Sequence, residues 1–161
     1  DVIKGVLAVI FAGLIVQDNP EPARVIGGLA AIAGHTWSVF LGFKGGRGVA
    51  TFMGGMAGMY WPAALLGGLC VLGLGFRSKY MSLGSITGSV LAFVYTAIMS
   101  LLSIDFLAPS PPFQYLIFAL VGCIFVYIMH RDNISRLMNG TERKIDDTSP
   151  PGPEPSRTSL K

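Results

Sequence analysis

The chain has 161 residues, 52% hydrophobic and 13% charged, with a mean hydropathy of +0.59 and a formal net charge of +3. A soluble domain carries about 25% charged residues, and here residues 5–17, 25–43, 48–76, 80–104 and 106–130 contain no Asp, Glu, Lys or Arg. That pattern excludes a soluble globular core, and cations gathered at the ends of apolar runs do not suggest nucleic acid; it predicts an all-α, polytopic membrane bundle of five hydrophobic segments, since a span needs roughly 20 apolar residues.

In chain order, Lys4 precedes an apolar helix over 5–16 and reads either as a snorkelling anchor or as a phosphate contact. Gln17–Pro22 holds two prolines, Asn and Asp, and reads as a turn. The next span runs from Val25 to about Phe43 and carries His35. An intramembrane histidine faces the protein interior; a structural and a substrate-contacting role for it are equally open. The span leads into Lys44-Gly45-Gly46-Arg47-Gly48. Glycines leave backbone N–H groups free to point into one concavity and hold an anion, and Lys44 and Arg47 add fixed positive charge there. The competing reading is a flexible turn whose cations sit among lipid headgroups.

Phe52–Phe76 is long enough for one span, but Tyr60-Trp61-Pro62 sits near its middle. As one span it would put Arg77 and Lys79 opposite the Lys44 loop. Split into two short helices, it returns Lys44, Arg47, Arg77, Lys79, Arg131, Arg136, Arg143 and Lys144 to one side, as the positive-inside rule prefers. Gly54 and Gly58 form a small-xxx-small pair suited to such a hairpin. Ser78, Ser82, Ser85 and Ser89 recur at helical spacing. Ser82 and Ser85, near the basic loop, suit either phosphate contact or helix packing.

The last span is predicted from Phe113 to Met129. Beyond it, His130, Asn133 and Arg136 follow at steps of three and share one helical flank. Asn139-Gly140 reads as a helix stop. Cys70 and Cys123 lie in apolar runs and show no metal-ligand spacing. Residues 146–161, rich in Pro, Ser and Thr, read as a disordered cytoplasmic tail after a membrane domain over 1–145.

Three of these stretches resemble one family. Gly34-His35 followed by Phe40-Leu41-Gly42-Phe43-Lys44-Gly45-Gly46-Arg47-Gly48-Val49-Ala50-Thr51 is similar to the second motif of the bacterial acyl-phosphate-dependent glycerol-3-phosphate acyltransferases, the PlsY family. Asp1-Val2-Ile3-Lys4-Gly5 resembles that family's D-x-x-K-G helix opening. His130-x-x-Asn133-x-x-Arg136-Leu137-x-x-Gly140-x-Glu142 resembles its third motif. Arg47 stands where the family usually has lysine, which keeps the charge but makes it planar and bidentate. The family's first helix and first motif have no counterpart here, so the resemblance implies an N-terminally truncated chain that is inactive alone.

The resemblance implies acyl transfer from acyl phosphate to the 1-hydroxyl of glycerol 3-phosphate, giving 1-acylglycerol 3-phosphate and phosphate, in phospholipid synthesis at the cytoplasmic face of the bacterial inner membrane. It implies that Lys44, Gly45, Gly46, Arg47 and Gly48 hold glycerol 3-phosphate and that His130 and Asn133 position the reacting groups. Ser82, Ser85 and Arg136 are candidate phosphate contacts, with His35 and Glu142 in support. No metal or cofactor is expected; the partners are the two substrates and membrane lipid. His130 and a substrate phosphate are both open as the base. The His-x4-Asp pair of the other large acyltransferase class is absent, since Phe40 and Ser135 occupy the relevant positions, and there is no G-x-S-x-G. A transporter for a phosphorylated solute is the alternative, although no internal repeat supports it.

Overall fold

The computed structural model describes residues 1–38, 42–43 and 45–147. Among them lie seven helices: α1 (Val2–Ile15), α2 (Pro20–Thr36), α3 (Val49–Met59), α4 (Trp61–Ser78), α5 (Met81–Leu101), α6 (Phe113–Met129) and α7 (Arg131–Met138).

The helices pack through glycine. A methyl on Gly5 would strike α3 around Thr51–Gly55, and one on Gly58 would meet Val9, so α1 and α3 run parallel in close contact. Gly27 packs on Ala8 and Ala12, which sets α2 antiparallel to α1. Gly67, Gly84 and Gly88 join α4 and α5 backbone to backbone, antiparallel. Phe118 lies against Gly28 and Gly55, and Phe52 against Gly122, placing α6 in the centre. The starts of α1, α3 and α5 and the ends of α2, α4 and α6 therefore share one end of the bundle. The α3–α4 break at Tyr60 is at the other.

The surface is inverted relative to a soluble protein. Phe11, Leu14, Leu65, Leu69, Leu72, Phe76, Val94, Ile98, Leu120 and Ile124 all point outward. An apolar exterior of this extent is a lipid-facing one.

Five sequence expectations change. The five charge-free segments are not five full-length spans: by length and composition two helices, α4 and α5, can cross a membrane, or three if the bent pair α6–α7 counts as one. Charge-free windows include loop residues: α2 (17 residues) and α3 (11) are shorter than their windows, and α1 has only 14 residues. The Phe52–Phe76 segment does break, at Tyr60, but only α3 is short; α4 has 18 residues. The second span begins at Pro20, because proline suits the first helical turn, and ends at Thr36. Gly54 and Gly58 face α1 rather than α4, and Ser78 ends α4, so it does not share the face of Ser82, Ser85 and Ser89 on α5.

Candidate active site

At the shared end, α6 and α7 meet at a bend of 59°. The bend turns α7 away from the α6 axis and puts His130 in the corner. His130 is 2% exposed, and its Nδ1 lies 2.8 Å from the Val126 carbonyl oxygen. A carbonyl only accepts, so Nδ1 carries the proton and Nε2 of the neutral ring is left as an acceptor. Burial pushes the imidazole pKa down; the Val126 hydrogen bond and Glu142 push it up, Arg47 pushes it down, and the net direction is down. The neutral base is therefore the favoured form near pH 7.

Glu142 is the hub of the same end. Its Oε1 accepts from Ser82 Oγ and from Asn133 Nδ2, each at 2.6 Å, and its Oε2 accepts from Arg136 Nε at 2.8 Å. Burial raises the carboxyl pKa, but these three hydrogen bonds and the Arg136 charge outweigh it and hold the group below the ordinary 4.5. An ionised carboxylate only accepts, which fixes the Asn133 amide with its nitrogen toward Glu142. Asn133 Oδ1 then points away, buried, with no partner among the described residues. A buried acceptor without a donor costs roughly 1–3 kcal/mol, which a ligand hydroxyl would relieve.

The glycine loop packs on the end of α2. Gly45 N donates to the Thr36 carbonyl at 3.0 Å, and a methyl at Gly45 would collide with the His35 carbonyl oxygen. A methyl at Gly46 would collide with His35 Nε2. Gly48 has φ 77°, a left-handed conformation that caps the start of α3. His35 Nδ1 lies 3.2 Å from Asp1 Oδ1, tying α1, α2 and the loop together. Gly45, Gly46 and Arg47 are exposed. Lys44 falls outside the described residues, as do residues 148–161 of the tail expected over 146–161. The described chain does not end in a free segment at 146, since Asp146 Oδ2 accepts from Lys79 Nζ at 2.6 Å.

The predicted residues thus divide. Ser82, Asn133, Arg136 and Glu142 form one hydrogen-bonded group, with His130 one turn before Asn133. Ser85 is buried, and its carbonyl accepts from Ser89 Oγ at 2.7 Å. His35 lies under the glycine loop, and Arg47 is close enough to His130 to influence its charge. Sequence reasoning missed Asp1 as a partner of His35, although two helices joined by a short turn bring those positions together. It also missed Thr36, whose buried Oγ1 has no partner among the described residues.

Fold and site define a multi-pass helical membrane protein with one polar end that combines a glycine-rich loop and a histidine–asparagine pair. Residues 1–140 match the family described as glycerol-3-phosphate acyltransferase. The chain is 46% identical over 158 residues to glycerol-3-phosphate acyltransferase 3 of Dehalococcoides mccartyi (strain CBDB1), covering 91% of this chain and 70% of that one. It is 35% identical over 156 residues to the glycerol-3-phosphate acyltransferase of Caulobacter vibrioides (strain NA1000 / CB15N), covering 94% and 66%. The crystal structure of PlsY (YgiH), an integral membrane glycerol 3-phosphate acyltransferase, in its glycerol 3-phosphate form superimposes with a TM-score of 0.72 at 31% identity, over 88% of this chain and 66% of that one. Its lysophosphatidic acid form gives 0.73 at the same identity. The chain therefore belongs to the glycerol-3-phosphate acyltransferase family, and acyl transfer to glycerol 3-phosphate is the activity that membership assigns.

Proposed function

We propose that the donor is acyl phosphate and that the reaction runs at the shared polar end, facing the cytoplasm from the bacterial inner membrane. Five charge-free segments would then be accommodated in the bilayer, the shorter ones by neighbouring protein. One observation carries the reading: the glycine loop with Arg47 and the His130–Asn133 corner lie at the same end of the bundle as the starts of α1, α3 and α5. Family membership favours acyl transfer over transport of a phosphorylated solute.

Glycerol 3-phosphate is held by its phosphate on the Gly46–Gly48 amides with Lys44 and Arg47, while Gly45, whose own N–H goes to Thr36, seats the loop. Ser85 and Arg136 add donors for the second phosphate, and Ser82, whose one hydroxyl hydrogen goes to Glu142, supports that carboxylate. Asn133 Oδ1 accepts from a glycerol hydroxyl. The 1-hydroxyl oxygen attacks the carbonyl carbon of the acyl phosphate, the carbon–oxygen bond to phosphate breaks, and phosphate leaves with the electron pair. The hydroxyl proton passes to His130 Nε2. Acyl phosphate is a mixed anhydride with a good leaving group, so the site chiefly has to align the reactants and offset the repulsion of two phosphates.

The test is phosphate release from acyl phosphate plus glycerol 3-phosphate, with acyl-CoA as the comparison donor, for the wild type and His130→Gln. Acyl phosphate alone should support turnover, and His130→Gln should lose roughly 10²–10⁴ in kcat/KM, the usual weight of a general base, with an unchanged melting temperature. Turnover with acyl-CoA as sole donor would overturn the donor assignment. Near-wild-type kcat/KM in His130→Gln would move the base to a substrate phosphate.

A further inference from the structure

We propose that Thr141–Asp147 is a strap whose anchorage on Lys79 holds Glu142 in place, making Lys79, Ile145 and Asp146 positioning residues for the reaction. The proposal rests on the reading above, because Glu142 orients groups assigned there to the substrates.

Glu142 sits on a stretch without helix or strand, yet it gathers three donors from two different helices. A carboxylate on a free segment would swing, and a site of this kind must be held within about 0.5 Å. The chain fixes it from both sides. Before Glu142, Gly140 turns back with φ 67°, and Thr141 N donates to the Arg136 carbonyl at 2.8 Å. After it, Ile145 N donates to the Lys79 carbonyl at 2.9 Å, and Lys79 Nζ donates to Asp146 Oδ2 at 2.6 Å.

Lys79 is suited to this by its backbone. It ends α4 in the left-handed conformation, φ 65°, an unusual state for a residue with a Cβ. Ser82, which donates to Glu142, follows three residues later on the first turn of α5. The strap's far anchor and one of Glu142's donors are therefore parts of the same two-residue turn and the helix start after it. Pulling the strap off Lys79 would release Glu142 from Ser82 and free the Asn133 amide to rotate.

The two anchors differ in kind. The Lys79–Asp146 pair is 56% and 57% exposed, so salt screens it. The Ile145–Lys79 backbone bond has no such dependence. The site should thus have a salt-sensitive fastening laid over a salt-insensitive one.

The experiment compares Lys79→Gly, Lys79→Glu, Asp146→Lys, the Lys79→Glu/Asp146→Lys double variant and Ile145→Pro with the wild type. Glycine accepts the left-handed turn and keeps the carbonyl while deleting the ammonium. Proline at 145 deletes the strap's N–H. KM and kcat for glycerol 3-phosphate are read at low and high salt, with melting temperature and hydrogen exchange of the Arg131–Met138 amides on the same samples. The expected result is a rise in KM of about threefold in each charge reversal, recovered in the double variant, in keeping with an exposed ion pair. Ile145→Pro should raise KM by about tenfold, the upper range for one hydrogen bond, and speed exchange along α7. The wild-type KM should climb more steeply with salt than that of Lys79→Gly, which keeps only the screening of the substrate's own phosphate.

Unaltered KM and unaltered exchange in Ile145→Pro would overturn the strap. So would variants that lose kcat and melting temperature together with no recovery in the charge swap, which would mark the contact as merely structural. A wild type that exchanges as described but turns over no acyl phosphate would count against the proposed function and leave the exchange results to decide the strap.

Discussion

Glycine in the α4–α5 hairpin and Gly46 and Gly48 of the 45–48 loop meet different neighbours, while Gly45, against the His35 carbonyl oxygen, resembles the hairpin. In the hairpin, a methyl on Gly84 would strike the Val71 carbonyl oxygen, and one on Gly88 the Gly67 carbonyl oxygen. Backbone meets backbone there, and the absence of a side chain brings two helices together. In the loop, Gly46 faces the ring of His35, a side chain that can move or be cut away, and Gly48 supplies a left-handed φ. The hairpin uses glycine to close space, as Gly45 does against the end of α2, whereas Gly46 makes room for a side chain and Gly48 for a turn. A glycine count cannot tell these apart; what lies opposite each Cα can.

The largest separation of the two regions should come from Gly84→Ala. Its added methyl meets rigid backbone on α4, so helices must part, at a cost of about 1–3 kcal/mol typical of overpacking. The melting temperature should fall by several degrees, while KM for glycerol 3-phosphate in the remaining folded protein rises far less than in a variant of the loop, because the hairpin reaches the site only through Ser82 and the Lys79 turn. A KM rise as large as that of Gly46→Ala would mean the two regions do not differ, and the comparison would fail.

Gly46→Ala should do the reverse at smaller cost. The methyl displaces either His35 or the loop, and KM for glycerol 3-phosphate should rise about tenfold as amides leave the anion, with little change in melting temperature. Cutting back the wall sharpens the point: His35→Ala/Gly46→Ala should have a lower KM than Gly46→Ala alone. If the double variant is no better, the collision with His35 is not the reason glycine is needed at 46.

How much of this was legible in the sequence follows from what each residue answers to. The class of fold was, because absence of charge over long runs is a one-dimensional property. The break near Pro62 was, because two loops of like charge had to share a side, and the structure puts the break at Tyr60 and Arg77 and Lys79 at the polar end. Helix ends were less so. The apolar pattern continues past Thr36, but the chain there turns so that Gly45 can bond back to the Thr36 carbonyl, a tertiary cause with no local mark. The partners of Gly54 and Gly58 were misread for a similar reason, since small-xxx-small spacing states that a neighbour comes close and not which one. The spacing of His130, Asn133 and Arg136 foretold a common flank. Glu142, past the helix stop, is expected to tie down the loop through a cation, and Arg136 is that cation. The spacing could not foretell that Glu142 would also accept from Asn133, or that Ser82 from another helix would join them. The strap's anchor at Lys79 is 66 residues from Ile145 in the chain, beyond any local pattern.

The smallest expected effect concerns Glu142, where hairpin and site end meet, because Ser82 belongs to α5. The folded carboxyl titrates below its ordinary 4.5. Below that value the unfolded chain takes up a proton more readily than the folded one, so the stabilisation is whole above pH 4.5 and is lost as pH falls through the folded pKa. Melting temperature measured from pH 7 down to pH 3 should be flat for the wild type near neutrality and fall in acid. His130, pushed down by burial, and Asp146, held low by Lys79, contribute to that fall, the histidine from about its ordinary value downward. The informative quantity is therefore the difference between wild type and Glu142→Gln at each pH. Glutamine keeps an acceptor for Ser82 and Asn133 and has no charge to lose; the difference should be steady above pH 5 and shrink in acid. Gly84→Ala, by contrast, overpacks the hairpin and alters no titrating group, and should displace the whole curve in parallel. A Glu142→Gln difference that stays constant to pH 3 would show that the carboxylate's charge adds nothing to holding α5 and α7 together, and that shape alone joins the two regions.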